Sequence, residues 1–168
     1  MNMLYGWKSN FITGCAMKWA GMYLAVGASA AMLFFGGVAY PAEPGVMALT
    51  ADEMKWSAQG GLALPGMEQV NLIGNPSKAG PYTLRLKFPA GFKLPPHFHP
   101  DAREVTVLSG VWYTGYGETA DPAKLKKLPA GSFYTEPANE PHYVEVREPT
   151  VIQVSGTGPS GRKDIAPK

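Results

Sequence analysis

The feature that most constrains the fold is a series of short segments in which apolar and polar residues alternate. In Tyr82–Phe88 every second residue is apolar, so one side of an extended chain would be apolar and the other polar. Gly and Pro separate these segments, with 20 glycines and 16 prolines in 168 residues. Period-two alternation broken by regular turns is typical of half-buried strands. The chain therefore predicts an all-β sandwich or barrel.

The alternation predicts at least seven strands. They are Gln69–Ile73, Tyr82–Phe88, Lys93–His99, Glu104–Tyr113, Ser132–Glu136, His142–Val146 and Thr150–Val154. One short helix is predicted before them, because Thr50 and Glu53 have the spacing of a capping box. That helix should run through Lys55–Trp56 and end before Gly60.

The N-terminal residues have the pattern of an export signal. An uncharged, largely apolar run over residues 19–38 follows Lys18 and ends in small residues. We expect residues 1–39 to be a signal peptide, with cleavage after Ala39 or Ala42 and with Met17 as an alternative start. The alternative is an uncleaved anchor, since the run is long enough to span a bilayer. The cleaved form predicts a periplasmic or secreted protein.

Removal of this leader changes both charge and redox chemistry. Lys8 and Lys18 leave with it, so the 15 basic residues become 13 against 13 acidic ones. A neutral chain without a basic block predicts neither nucleic-acid binding nor stable membrane association. Cys15, the chain's one cysteine, leaves too, which excludes disulfides and thiolate ligands from the mature chain.

All three histidines of the chain fall at candidate metal-ligand positions. His97 and His99 are two residues apart on a predicted strand, so both imidazoles should project from the same face. Glu104 follows a turn-like tetrapeptide, and His142 opens another strand. Three imidazoles and one carboxylate suit a single divalent Fe, Mn, Ni, Cu or Zn ion, and suit Ca²⁺ or Mg²⁺ poorly.

The spacing around these residues resembles the two conserved motifs of the cupin superfamily. The first motif is Gly, five residues, His-x-His, three or four residues, Glu, six residues, Gly, and here it runs from Gly91 to Gly110. The second is Gly, five residues, Pro-x-Gly, two residues, His, three residues, Asn, and here it runs from Gly131 to Val146. The match covers nearly half of the mature chain.

Three positions depart from those motifs. Five residues instead of six precede Gly110, Asn139 replaces a glycine, and Val146 replaces an asparagine. Asn is the most frequent non-glycine residue at positive φ, so Asn139 should form the same turn. None of the four expected metal ligands is missing.

The resemblance implies a double-stranded β-helix, the jelly-roll barrel of cupins, with its metal inside the open mouth. It also implies a barrel over residues 81–159, preceded by an N-terminal extension over residues 40–80. The composition of residues 160–168 predicts a flexible tail. The chain is similar to small exported bacterial cupins and to the cupin domain of certain anti-sigma factors. Cupin barrels pair through edge strands, so the resemblance further implies a homodimer and a small-molecule ligand or substrate.

Other polar residues carry weaker signals. Arg85 lies on the polar face of a strand just before the ligands and is a candidate for binding an anionic substrate, with a solvated strand face as the alternative. Gln153 lies in an apolar strand and is a candidate for substrate binding at the metal, with a structural hydrogen bond as the alternative. Glu136 and Glu140 flank Pro137 and are expected as charges on the rim, with one of them as a candidate base if it turns inward. Two functions stay open at this point. One is a metal-dependent oxygenase acting on a small organic molecule, and the other is a non-catalytic module that binds or senses a metal or small ligand.

Overall fold

The computed structural model describes residues 45–59 and 62–166, so the predicted signal peptide lies outside it. The described chain forms ten strands and one short 3₁₀ helix. The strands are β1 (Glu68–Ile73), β2 (Gly80–Phe88), β3 (Lys93–Phe98), β4 (Arg103–Ser109), β5 (Val111–Tyr116), β6 (Lys126–Pro129), β7 (Phe133–Glu136), β8 (His142–Val146), β9 (Thr150–Gly158) and β10 (Lys163–Asp164). The 3₁₀ helix is η1 (Pro122–Lys124).

These strands form two antiparallel five-stranded sheets. One has the order β1-β2-β9-β4-β7, and the other has the order β10-β3-β8-β5-β6. The inward rows of both sheets share one apolar core, in which Leu84, Val105 and Trp112 are almost completely buried. This arrangement confirms the predicted all-β jelly-roll barrel. No helix in the part of the chain that the structure describes is long and apolar enough to cross a membrane.

Gly110 divides the long strand that alternation alone predicts over Glu104–Tyr113. Its φ is 73°, a conformation that favours glycine, and an added Cβ would lie 2.4 Å from the Pro149 carbonyl oxygen. The chain therefore reverses there and continues as β5 in the other sheet. Asn139 has a φ of 60°, which confirms the prediction that it replaces the motif's glycine in a turn.

The two ends of the described chain differ from what the sequence predicts. At the capping box, Thr50 donates its backbone N–H to Glu53 Oε2 at 2.8 Å. The segment forms only a turn at residues 51–53, and the predicted short helix through Lys55–Trp56 is not formed. At the other end β9 extends to Gly158, and β10 pairs with β3. Residues 163–165 of the predicted tail therefore pair with the strand that carries His97.

Candidate metal centre

Two neighbouring strands bring the three histidines together inside the barrel. His97 on β3 pairs directly with His142 on β8, and His99 follows β3 immediately. A register shift lies between Leu94 and His97, where the strand contains two prolines. This shift lets the side chains of Leu94 and His97 both point inward, although the two residues are three apart. The three imidazoles are at most 4% exposed, and one nitrogen from each lies within 4.8 Å of the others. The predicted His cluster is therefore present, on the strands that the spacing indicated.

Backbone carbonyl groups fix the orientation of each ring. His97 Nδ1 donates to the Pro95 oxygen at 2.7 Å, and His99 Nδ1 donates to the Gly161 oxygen at 2.5 Å. His142 Nδ1 donates to the Glu140 oxygen at 3.2 Å. Because each Nδ1 carries the hydrogen, each neutral ring presents the lone pair of Nε2 to the cluster. Among the described residues, Nε2 of His99 and Nε2 of His142 have no hydrogen-bond partner.

The surroundings keep these imidazoles neutral. Burial, with a further contribution from neighbouring His142, lowers the pKa of His97 to about 4. Burial and the Arg103 guanidinium lower the pKa of His99 to about 3. Burial is also the main cause of the lowered pKa of His142. Neutral imidazole is the form that binds metal, so the cluster is ready to act as a ligand set near neutral pH.

A buried carboxylate faces the cluster, and it belongs to Glu136. Its Oε1 lies 3.4 Å from His142 Nε2, and its Oε2 lies 3.9 Å from His99 Nε2. Arg103 donates to Oε2 through Nε at 2.7 Å and through Nη2, and Tyr134 Oη donates to Oε1 at 2.9 Å. Burial would raise the pKa of Glu136, but the charge of Arg103 and its hydrogen bonds to the carboxylate outweigh burial and lower the pKa to about 2. Glu136 is therefore ionised inside the barrel, where the sequence had indicated a rim charge.

Glu104, the carboxylate that the spacing selected, lies on the opposite face of β4. Its side chain is solvent-exposed, whereas the flanking Arg103 and Val105 point inward and are buried. The turn after His99 ends one residue too early for Glu104 to face the cluster, because successive side chains of a strand alternate between faces. Arg103 occupies the inward position and pairs with Glu136 across β4 and β7. The structure thus does not bring Glu104 to the histidines.

The two candidate substrate-binding residues contact each other away from the cluster. Arg85 and Gln153 are direct partners across β2 and β9, and Arg85 Nε donates to Gln153 Oε1 at 3.1 Å. Arg85 also lies 3.3 Å from the sulfur of Met54. Alternation puts Arg85 on the side of β2 opposite the buried Leu84 and Leu86. Their geometry is that of an interaction on the outer sheet face.

A narrow cavity borders the histidines. Its volume is about 40 Å³. Six apolar and four polar or charged side chains line it. They are Leu62, Leu64, Met67, Leu86, Phe88, Leu94, His97, His99, Arg103 and Arg162. A cavity of this size holds a few water molecules, because one water needs roughly 10–15 Å³.

A jelly-roll barrel with a histidine cluster in its interior defines the class of protein: it is a cupin. The family model of the ChrR cupin-like domain matches residues 45–161, and the chain belongs to that family. The resemblance to the cupin domain of anti-sigma factors is thereby confirmed. A comparison with curated protein sequences returned no significant match.

Solved structures share the fold at low sequence identity. The polyketide cyclase RemF from Streptomyces resistomycificus has a TM-score of 0.58 and 16% identity over 73% of this chain and 87% of that chain. An RmlC-like cupin from Shewanella frigidimarina has a TM-score of 0.51 and 16% identity over 65% and 87%. A salicylate 1,2-dioxygenase from Pseudaminobacter salicylatoxidans has a TM-score of 0.51 and 13% identity over 64% and 33%. These likenesses establish the fold alone.

Proposed function

We propose that this cupin binds one divalent transition-metal ion through His97, His99 and His142. The observation that carries the proposal is a convergence of hydrogen-bond acceptors. The unpartnered Nε2 atoms of His99 and His142 face the ionised Glu136 carboxylate, with 3.4 Å between His142 Nε2 and the nearest oxygen. Lone pairs that face one another in a buried site are unfavourable unless a cation or a hydrogen-bond donor lies between them, and no described residue supplies such a donor. An ion of borderline softness such as Fe, Mn, Ni, Cu or Zn matches imidazole and carboxylate donors.

When bound, such an ion would supply Lewis-acid or redox chemistry at its open coordination positions. The protein's own residues would control access to those positions. Leu64 and Met67 form an apolar wall of the cavity and limit the entry of water. Arg103 and Arg162 also line the cavity, and His99 stays neutral beside them. The site is therefore suited to a small ligand that fits between apolar side chains and the carboxylate-paired guanidinium groups of Arg103 and Arg162.

Within this proposal, the geometry favours a non-catalytic module that binds or senses the metal or a small ligand. The cavity of about 40 Å³ is far smaller than the roughly 300–1,000 Å³ of typical small-molecule sites. Membership of the ChrR cupin-like family supports this choice, because the anti-sigma factor domains that the chain resembles are sensing modules rather than enzymes.

A metal-dependent oxygenase acting on a small organic molecule is the second candidate. Six apolar side chains line the cavity beside the histidines, and an apolar wall suits an organic substrate. A salicylate 1,2-dioxygenase is among the proteins that share the fold. This function needs a larger cavity than the one described, which is why we place it second.

Metal analysis followed by oxygen-uptake measurements separates these candidates. The protein is purified, stripped with a chelator, reloaded with Fe²⁺ and supplied with a panel of small aromatic and aliphatic acids. The sensing proposal predicts about one metal ion per chain and no oxygen uptake above that of a His142→Ala control. Substrate-dependent uptake that the control lacks would establish the oxygenase instead. Protein with no bound metal under any loading condition would contradict both.

We also propose that the chain is exported, with residues 1–39 as its signal peptide. The support is the uncharged apolar run after Lys18 and the small residues that follow it. Expression in a bacterial host with a C-terminal tag, followed by fractionation and N-terminal sequencing, tests it. The expected result is periplasmic or secreted protein that begins at Tyr40 or Glu43. Full-length protein retained in the membrane fraction would support the uncleaved anchor.

A homodimer is proposed on the basis of the exposed sheet edges. β1 and β7 are the edges of their sheet, and Phe133 on β7 is 58% exposed. Unpaired strand edges are common sites of association. Light scattering coupled to size-exclusion chromatography should give twice the chain mass, and a mass of one chain would contradict the dimer.

A further inference from the structure

The carboxylate of Glu136 has a position that neither cupin motif assigns to a ligand. The first motif places its glutamate after the His-x-His pair, and in this chain the corresponding inward position holds Arg103. Glu136 comes from β7, the neighbour of β4, and lies just before Pro137 of the second motif. Arg103 and Glu136 thus lie together on the inner face of the sheet, where the first motif places a single glutamate.

The contacts of Glu136 divide its two oxygens into different roles. Oε2 accepts both hydrogen bonds from Arg103, which occupies that oxygen. Oε1 accepts one hydrogen bond, from Tyr134, and lies 3.4 Å from His142 Nε2. A carboxylate oxygen has lone pairs for more than one partner, so Oε1 keeps the capacity to bind a cation. Arg103 and Tyr134 hold the carboxylate from two sides and orient this oxygen toward the histidines.

The distance from Oε1 to His142 Nε2 fits two ligands of one ion. Zinc ligands lie about 2.0–2.2 Å from the metal, and at that radius two tetrahedral ligands are roughly 3.4 Å apart. No described donor contacts His142 Nε2, so a hydrogen bond does not account for the approach of these two acceptors. Glu136 is 3% exposed, so bulk water cannot be the partner of the remaining lone pairs of its carboxylate.

We propose that Glu136, through Oε1, is the fourth protein ligand of the metal, and that Arg103 is a positioning residue that restricts it to this one oxygen. The inference rests on the proposed metal site. It assigns the carboxylate ligand to β7 in place of β4, and it makes Glu104 irrelevant to metal binding. A guanidinium bound to the same carboxylate also lowers the net negative charge of the ligand set.

Zinc titration of matched variants tests this assignment. Wild type, Glu136→Gln, Glu104→Gln and His142→Ala are stripped and titrated with Zn²⁺ against a chromophoric chelator. Glu136→Gln should weaken zinc binding at least about 10-fold, since even residues that only support a ligand typically change affinity 10–100-fold. Glu104→Gln should stay within about twofold of wild type, because its side chain is exposed on the other face.

The double variant Arg103→Gln with Glu136→Gln keeps the test valid if Glu136→Gln alone does not fold, because it leaves no unpaired buried charge. Its zinc affinity should be as weak as that of the single variant. Wild-type affinity in Glu136→Gln or in the double variant, with His142→Ala impaired, would overturn the assignment and leave the three-histidine site intact. A loss of affinity confined to Glu104→Gln would overturn it as well. Absence of zinc binding by wild type would overturn the metal site itself.

Discussion

The inner and outer faces of one sheet use the same residue types for different purposes. On the inner face, Arg103 and Glu136 are both at least 93% buried and pair with each other beside the histidines. On the outer face, Glu104 is exposed, and the Lys87–Glu68 pair at 2.8 Å has both side chains more than 40% exposed. Removal of one partner of the buried inner pair lowers the free energy of unfolding, because the other charge stays buried without a partner. Solvent screens the outer charges, so removal of one of them has little effect. The face on which a charge lies therefore determines its role in this protein.

The largest effect is expected from Arg103→Ala, which leaves Glu136 ionised and unpaired in the barrel. Removal of one partner of a buried ion pair typically costs about 3–5 kcal/mol of unfolding free energy. Urea denaturation of the metal-free protein measures this change. Glu104→Ala is the matched outer-face control and should change stability by no more than about 0.5 kcal/mol. Equal effects of the two substitutions would remove the distinction between the faces.

Metal-linked stabilisation should be the next largest effect. Zinc at 100 times its dissociation constant should stabilise the wild type by about 2.7 kcal/mol, because the ion binds the folded ligand set. The melting temperature should rise with zinc in the wild type and in Arg85→Ala, and it should not change in His142→Ala. A rise of the same size in His142→Ala would show that zinc binds outside the histidine cluster.

A smaller effect is expected from Arg85→Ala on the outer face. This substitution removes the hydrogen bond to Gln153 and the contact with Met54. A typical hydrogen bond contributes about 0.5–1.5 kcal/mol, and zinc affinity should stay at the wild-type value. Denaturation and zinc titration of the same preparation measure both quantities. Weakened zinc binding would return Arg85 to the functional site and contradict the assignment of faces.

The smallest effect is expected from Lys87→Ala. Its partner Glu68 is exposed, and exposed ion pairs contribute about 0–1 kcal/mol. Lys87 also lies over the ring of Trp56. High salt screens the ion pair, so it should reduce the loss of unfolding free energy, but only in part because the packing of Lys87 on the ring is lost as well. Denaturation at low and high salt measures it. A loss as large as that of Arg103→Ala would refute the contrast between the buried and the exposed pair.

Local pattern was sufficient for most of the strands and for the histidine cluster, but it predicted neither β6 nor β10 and did not divide β4 from β5. Alternation identifies the inner residues of β2, and the two-residue spacing of His97 and His99 puts both on one face. The same spacing argument could not determine the face of Glu104. The conformation of residues 100–102 decides which residues of β4 point inward, and no local sequence rule gives that conformation. A one-residue shift was enough to exchange Glu104 for Arg103.

Other features depend on contacts between residues that are distant in the sequence. Glu136 reaches the histidines because β7 pairs with β4, and no property of Glu136 itself signals that pairing. Its alternation with Tyr134 on a short strand was the available signal, since both side chains had to share a face. The Gly161 carbonyl that orients His99 belongs to a segment whose composition indicated a loose tail. Long-range pairing therefore fixed the parts of the site that local pattern left open.

The most direct test of the central claim is anomalous X-ray diffraction from crystals of the zinc-loaded protein, with data on both sides of the zinc absorption edge. The account predicts one strong peak per chain, about 2.0–2.2 Å from Nε2 of His97, His99 and His142 and from Oε1 of Glu136. Glu104 should remain on the outer face, away from the peak. A loaded crystal with no peak among the three histidines would contradict the account.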